Sequence, residues 1–131
     1  KFEFGQELIF AHDGRPFFHY FSRTWIIDAN GDKVRDSALE TGFVRCRPDR
    51  QLEVLLTHAT GFAEVWYGEI GDARFEITTD AVVRTGSAKE VTAGKRLYGY
   101  VDGDLLYAYD MAAMGQSLQP HLWARLQRAD A

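Results

Sequence analysis

Turn signals divide this chain at near-regular intervals: Asp13-Gly14, Asn30-Gly31, Pro48-Asp49, Thr60-Gly61, Gly71-Asp72 and Asp102-Gly103. Asp-Gly and Asn-Gly favour turns of positive φ, whose twist matches that of two antiparallel strands. Between the turns lie segments rich in β-branched and aromatic residues, at 2–10, 17–27, 52–57, 63–70, 75–79, 96–101, 105–110 and 121–127. No segment sustains a helical period. Residues 112–118 are the one helical candidate, and Gly115 interrupts them. Residues 80–90 read as a bulge or a long turn. Hairpin upon hairpin without helices predicts an all-β antiparallel meander. A meander of about eight to ten strands closes into an up-and-down barrel, because closure removes exposed edges. A barrel of that size leaves room for one small ligand.

Length and charge narrow the classes. The 131 residues predict a single domain spanning 1–131, and 46% hydrophobic with 14% aromatic residues supplies its core. A net charge of −4 with interspersed signs argues against binding a phosphate backbone. The arginines from Arg45 to Arg50 read as a solvated hairpin end. Cys46 is the sole cysteine, which excludes a disulfide within the chain and fits a reducing cytoplasm. No apolar run approaches the length of a membrane-spanning helix, and no signal-peptide pattern is visible. Neither nucleic acid nor membrane is an expected partner. Pairing of two barrels into a homodimer, through an exposed strand or loop face, is an open alternative. The sequence begins at Lys1 in strand-like residues, so the expectation is that an N-terminal segment precedes it.

Alternation within the strands carries a second message. In 17–27, Phe17, His19, Phe21, Arg23, Trp25 and Ile27 oppose Phe18, Tyr20, Ser22, Thr24 and Ile26. In 63–70, Val65, Tyr67 and Glu69 oppose Glu64, Trp66 and Gly68. Aromatic rings on both faces suit a barrel with a lined interior; a sandwich with aromatic cross-strand pairs is the alternative. Tyr98, Tyr100, Tyr107 and Tyr109 cluster about the Asp102-Gly103 turn. They read as cross-strand stabilisation or as phenols guarding a redox-active ligand.

The chemistry-bearing candidates are few. No histidine pair has metal-ligand spacing, and there is no Cys-x-x-Cys, nucleophile elbow or Gly-rich phosphate loop. His12 precedes a turn, His19 lies mid-strand, and His58 ends an apolar run. His121 opens the last strand, beside Met111, Met114, Leu118 and Leu122. An imidazole with an apolar wall is what haem iron requires. Parity complicates this. His121 shares a face with Trp123, Arg125 and Gln127, whereas Leu122, Ala124 and Leu126 form the apolar face. Either polar residues line the interior with His121, or a bulge near Pro120 resets the register.

At this point several stretches resemble the nitrobindins, small haem-binding barrels with a calycin, fatty-acid-binding-protein-like fold. They are Phe4-Gly5-Gln6-Glu7-Leu8, Leu55-Leu56-Thr57-His58-Ala59-Thr60-Gly61, Ser87-Ala88-Lys89-Glu90-Val91-Thr92, Lys95-Arg96-Leu97-Tyr98-Gly99 and Met111 through Leu122. The resemblance spans almost the whole chain and is greatest to actinobacterial members described as peroxynitrite isomerases. It implies a barrel of about ten strands whose first strand lies outside this chain. The family's Gly-x-Trp-x-Gly-x-Gly motif and following threonine are not present. It implies one haem b per chain, with His121 as axial ligand and catalytic centre. By the same resemblance Met111 and Met114 line the haem pocket, His58 falls near the distal side, and Lys95 meets a propionate, with Lys89 as second candidate. Ferric haem would isomerise peroxynitrite to nitrate, and ferrous haem would bind nitric oxide. The rival expectation is a haem-free carrier of a fatty acid or similar apolar ligand, with Arg125 holding the carboxylate.

Overall fold

A computed structural model describes residues 2–129. Its strands are β1 (Glu3–Ala11), β2 (Phe17–Ile27), β3 (Lys33–Cys46), β4 (Gln51–His58), β5 (Phe62–Gly71), β6 (Arg74–Arg84), β7 (Val91–Val101), β8 (Asp104–Ala113) and β9 (Gln119–Leu126). All nine belong to one sheet, each antiparallel to the next, in chain order. This is the all-β up-and-down meander that the turn signals predict, curled into a nearly closed barrel. At the β7–β8 turn, Asp102 and Gly103 have φ of 52° and 85°, the paired positive values that a strand-matching hairpin needs.

Two local expectations resolve differently. Strand β3 is the longest, yet no apolar pattern announces it, because every residue from Lys33 to Leu39 is exposed. Backbone pairing with β2, as in Trp25↔Asp36 and Arg23↔Leu39, makes this segment a strand. Residues 112–118 are not helical. Ala112 and Ala113 end β8, and Met114 and Gly115 turn the chain with φ of 53° and 79°. Residues 80–90 hold both features expected of them: Asp80 is the extra residue of a bulge between Val65↔Ala81 and Trp66↔Thr79, β6 continues to Arg84, and a turn follows.

Alternation places the core. Tyr20, Val44, Leu52, Val54, Leu56, Trp66, Ile77, Tyr98, Tyr107 and Tyr109 form one buried cluster. Phe75, Tyr98 and Tyr107 stack in sequence, with ring centroids 4.6 and 4.8 Å apart. The barrel middle is therefore filled. The void among Tyr20, Val54, Ile77 and Tyr98 amounts to about 10 Å³, too little for an acyl chain.

Besides the unpaired edges of β1 and β9, the wall opens between β6 and β7. The β6–β7 ladder runs only from Arg74↔Gly99 to Thr78↔Lys95, while β6 stays paired with β5 through Arg84. Where the ladder ends, the Thr79 hydroxyl replaces it. It donates to the Gly94 carbonyl at 2.8 Å and accepts the Gly94 N–H. Gly94 is also where Trp66 seats: a Cβ there would lie 2.7 Å from Trp66 Cη2 and 3.1 Å from Tyr109 Cε1. Trp66 is fully buried and has nowhere to retreat. We expect Gly94→Ala to destabilise the protein by about 1–3 kcal/mol through overpacking, read as a lower urea midpoint with unchanged slope.

Candidate functional site

Antiparallel order brings the ends of β4, β6 and β8 and the starts of β5, β7 and β9 to the same end of the barrel. His58, Met111, Met114 and His121 thereby gather at one end, on separate strands and turns. There β9 is irregular. Tyr109 faces Leu122 and Asp110 faces Pro120, so His121 is the extra residue of a bulge. The bulge is one of the two alternatives that parity leaves open, and it settles the conflict. Leu122, Ala124 and Leu126 pack on the core. His121, exposed as a residue, nevertheless turns its ring edge-on to buried Tyr109, with centroids 5.6 Å apart at 87°. Its pKa lies below the ordinary 6.5. Burial is the main cause, and the positive charges of Lys89 and Arg96 add to it. The imidazole is thus neutral at neutral pH, the form that ligates a metal.

Behind Tyr109 lies a buried polar network. The Arg96 guanidinium donates to both Glu40 oxygens, at 2.6 and 3.0 Å, and to the Tyr98 hydroxyl at 3.2 Å. Tyr20 donates to Glu40 at 2.8 Å. His58 contacts Glu64 through Nε2, and its Nδ1 lies 3.6 Å from Glu40. The Arg96 charge also sits 4.2 Å from the Tyr109 ring centre and 4.9 Å from that of Trp66, two cation–π contacts. Burial pushes the Tyr109 hydroxyl up to about 12, although Arg96 opposes the shift. Burial also raises Tyr98 and Tyr107. These phenols stay protonated and neutral.

The remaining site candidates are placed as follows. Met111 is partly buried against the core, beside Tyr109 on β8. Met114 lies in the following turn and is exposed. His58 is not an open distal residue. It is stacked on Phe62 with ring centroids 3.9 Å apart and held by two carboxylates. Lys95 requires a correction. It is exposed between inward Gly94 and Arg96, on the outer wall, and pairs with Glu76 at 3.5 Å. Lys89, in the β6–β7 turn, is the lysine whose charge reaches His121. Arg125 also faces outward, bound to Asp104 at 2.7 Å.

A family model described as "THAP4-like, heme-binding beta-barrel domain" matches residues 1–128. The chain belongs to this haem-binding barrel family. Similar members include a peroxynitrite isomerase of Nocardioides sp., 72% identical over 127 residues that make up 97% of this chain and 77% of the relative. A ferric nitrobindin-like protein of Streptomyces griseus is 42% identical over 98% of this chain and 68% of its own length. Among solved structures, Rv2717c from M. tuberculosis superposes with a TM-score of 0.84 at 36% identity, covering 98% of this chain and 82% of that one. The recognition of a nitrobindin-type all-β barrel is thus borne out.

The residues at the His121 end fit a haem-binding barrel. The neutral His121 imidazole meets the Tyr109 ring there, Met111 and Leu122 pack on the core at the same end, and the Tyr109 hydroxyl is buried without a hydrogen-bond partner. What sequence reading misses in this haem-binding barrel is the network behind the imidazole. Its signal was present: Glu40, Glu64 and Arg96 all fall on inward parity, beside Val44, Trp66 and Tyr98.

Proposed function

We propose that this chain is a haem-dependent peroxynitrite isomerase that holds one haem b per chain through His121. The observation that carries the assignment is the β9 bulge, which turns the His121 ring against Tyr109 while its neighbours keep strand parity. When bound, haem supplies an iron centre that acts as a Lewis acid towards peroxynitrite in the ferric state and takes nitric oxide in the ferrous state.

The chain's own residues do the rest. His121 offers a neutral nitrogen lone pair. Tyr109, backed by the Arg96 charge, fixes the orientation of the imidazole, as outer-shell partners do at metal sites. Met111 and Leu122 keep that side of the ring apolar and limit water. Lys89 places positive charge at the rim, where it offsets propionate carboxylates and attracts anionic peroxynitrite. His58, locked between Glu40 and Glu64, holds the network behind Tyr109 in one arrangement.

Hemin titration tests the assignment. We expect a Soret band that saturates at one equivalent, shifts when nitric oxide is added to the reduced protein, and accompanies accelerated peroxynitrite decay to nitrate in stopped flow. A hemin spectrum unchanged by the protein would overturn it. An acyl carrier that works from inside the barrel has little support, because the middle is filled and Arg125 faces outward.

A further inference from the structure

At the end of the barrel opposite His121, the outer wall carries a concavity of about 540 Å³. Outward residues form two cross-strand rows: Arg74, Gly99, Leu106 and Arg125, then Glu76, Leu97, Ala108 and Trp123. The outside of a barrel is convex, so a hollow there needs small residues flanked by large ones. Gly99 and Ala108 make the floor, and Leu97, Leu106 and Trp123 make the walls. A Cβ placed on Gly99 meets nothing within 4 Å, so the floor is open space. Trp123, on the edge strand β9, is 75% exposed.

The charges at the rim are unequal. Arg125 is engaged by Asp104 at 2.7 Å, and the rim carboxylate of Asp72 lies 4.0 Å from Arg50. Arg74 lines the groove and has no acidic partner among the described residues. The hollow thus offers an apolar trough with the Arg74 cation at its end and the exposed Asp72 carboxylate on its rim. Its volume is that of a small-molecule site. A second protein copy would need roughly 800 Å² per partner of contact.

We propose that this groove binds an anionic amphiphile, its tail along Leu97, Leu106 and Trp123 over the Gly99 floor and its head group on Arg74. The site is independent of haem, which belongs to the other end.

The test is an NMR titration of the full chain with decanoate and, separately, with decyltrimethylammonium, each below its micelle concentration. Decanoate should saturably shift the amides of Gly99, Leu106 and Ala108 and leave those around His121 unchanged. Arg74→Glu, an exposed change, should weaken decanoate by about tenfold and make the cationic amphiphile the tighter ligand. Gly99→Leu fills the trough and should abolish both. The proposal falls if no saturable shifts occur, if they map elsewhere, or if Arg74→Glu leaves the head-group preference unchanged. It also falls if light scattering finds a dimer that Gly99→Leu dissociates, for then a second copy owns the groove.

Discussion

If His121 is the axial ligand as proposed, His121→Ala should abolish the Soret band expected when hemin is added to the wild-type protein and weaken hemin binding by about 100-fold or more. Loss of a mere outer-shell partner costs metal sites about 10–100-fold, and here the proposed donor itself is removed. Among the described residues no other histidine is placed to take over: His12 is exposed beyond the end of β1, at the opposite end of the barrel. His58 is tied to Glu40 and Glu64 inside the network, and His19 is on the outer wall with its Nε2 3.0 Å from the Thr41 hydroxyl. The fold should survive, because His121 is exposed and lies in a bulge, so circular dichroism and the urea midpoint stay close to wild type. Tyr109→Phe is the useful companion. It keeps the ring that meets His121 and removes only an unpartnered hydroxyl, so the Soret band persists. A His121→Ala protein that still shows the wild-type spectrum would place the axial ligand elsewhere.

The largest loss of stability is expected from Arg96→Met. Arg96 is fully buried, and its two bonds to Glu40 compensate a carboxylate that cannot reach water. Removing one partner of such a pair costs about 3–5 kcal/mol, because the other charge is left buried. Replacing both, as Arg96→Met with Glu40→Leu, should recover much of the loss. The pH dependence gives a sharper signature. In the wild type, burial acts to raise the Glu40 pKa, but the Arg96 charge and hydrogen bonds, with His58 and Tyr20, hold it below its ordinary value of 4.5. A carboxylate lowered on folding stabilises the protein above its unfolded pKa and loses that contribution as pH falls through the lowered value. Wild-type stability should therefore decline on acidification below pH 4.5. In Arg96→Met, burial acts without its main opponent. Glu40 then titrates higher, and acidification should first relieve the variant rather than harm it. Urea midpoints measured across pH would show the two slopes with opposite signs.

Much of this architecture was legible beforehand, and the exceptions share a cause. Residues 52–57 and 63–70 announce themselves because their alternation matches a wall with an inside and an outside. Lys33–Leu39 does not, because both of its faces meet water and only hydrogen bonding to β2 makes it a strand. The buried charges are an intermediate case. Parity puts Arg96 beside Tyr98 and Glu64 beside Trp66, but a charged residue on an inward position is credible only when its partner is known. That partner, Glu40, lies far away in the chain and reaches Arg96 only across the barrel. Lys95 shows that parity needed a more literal application: the residue next to an inward arginine must face outward.

The amino-acid sequence alone determined the class of fold, the strand order and the histidine worth watching, because turn chemistry and two-residue alternation are local and repeat along the chain. Tertiary structure alone decided which way His121 points and which cations stand near it. A bulge exists only in the register between two strands, and the field of Lys89 and Arg96 at the imidazole depends on distances through space.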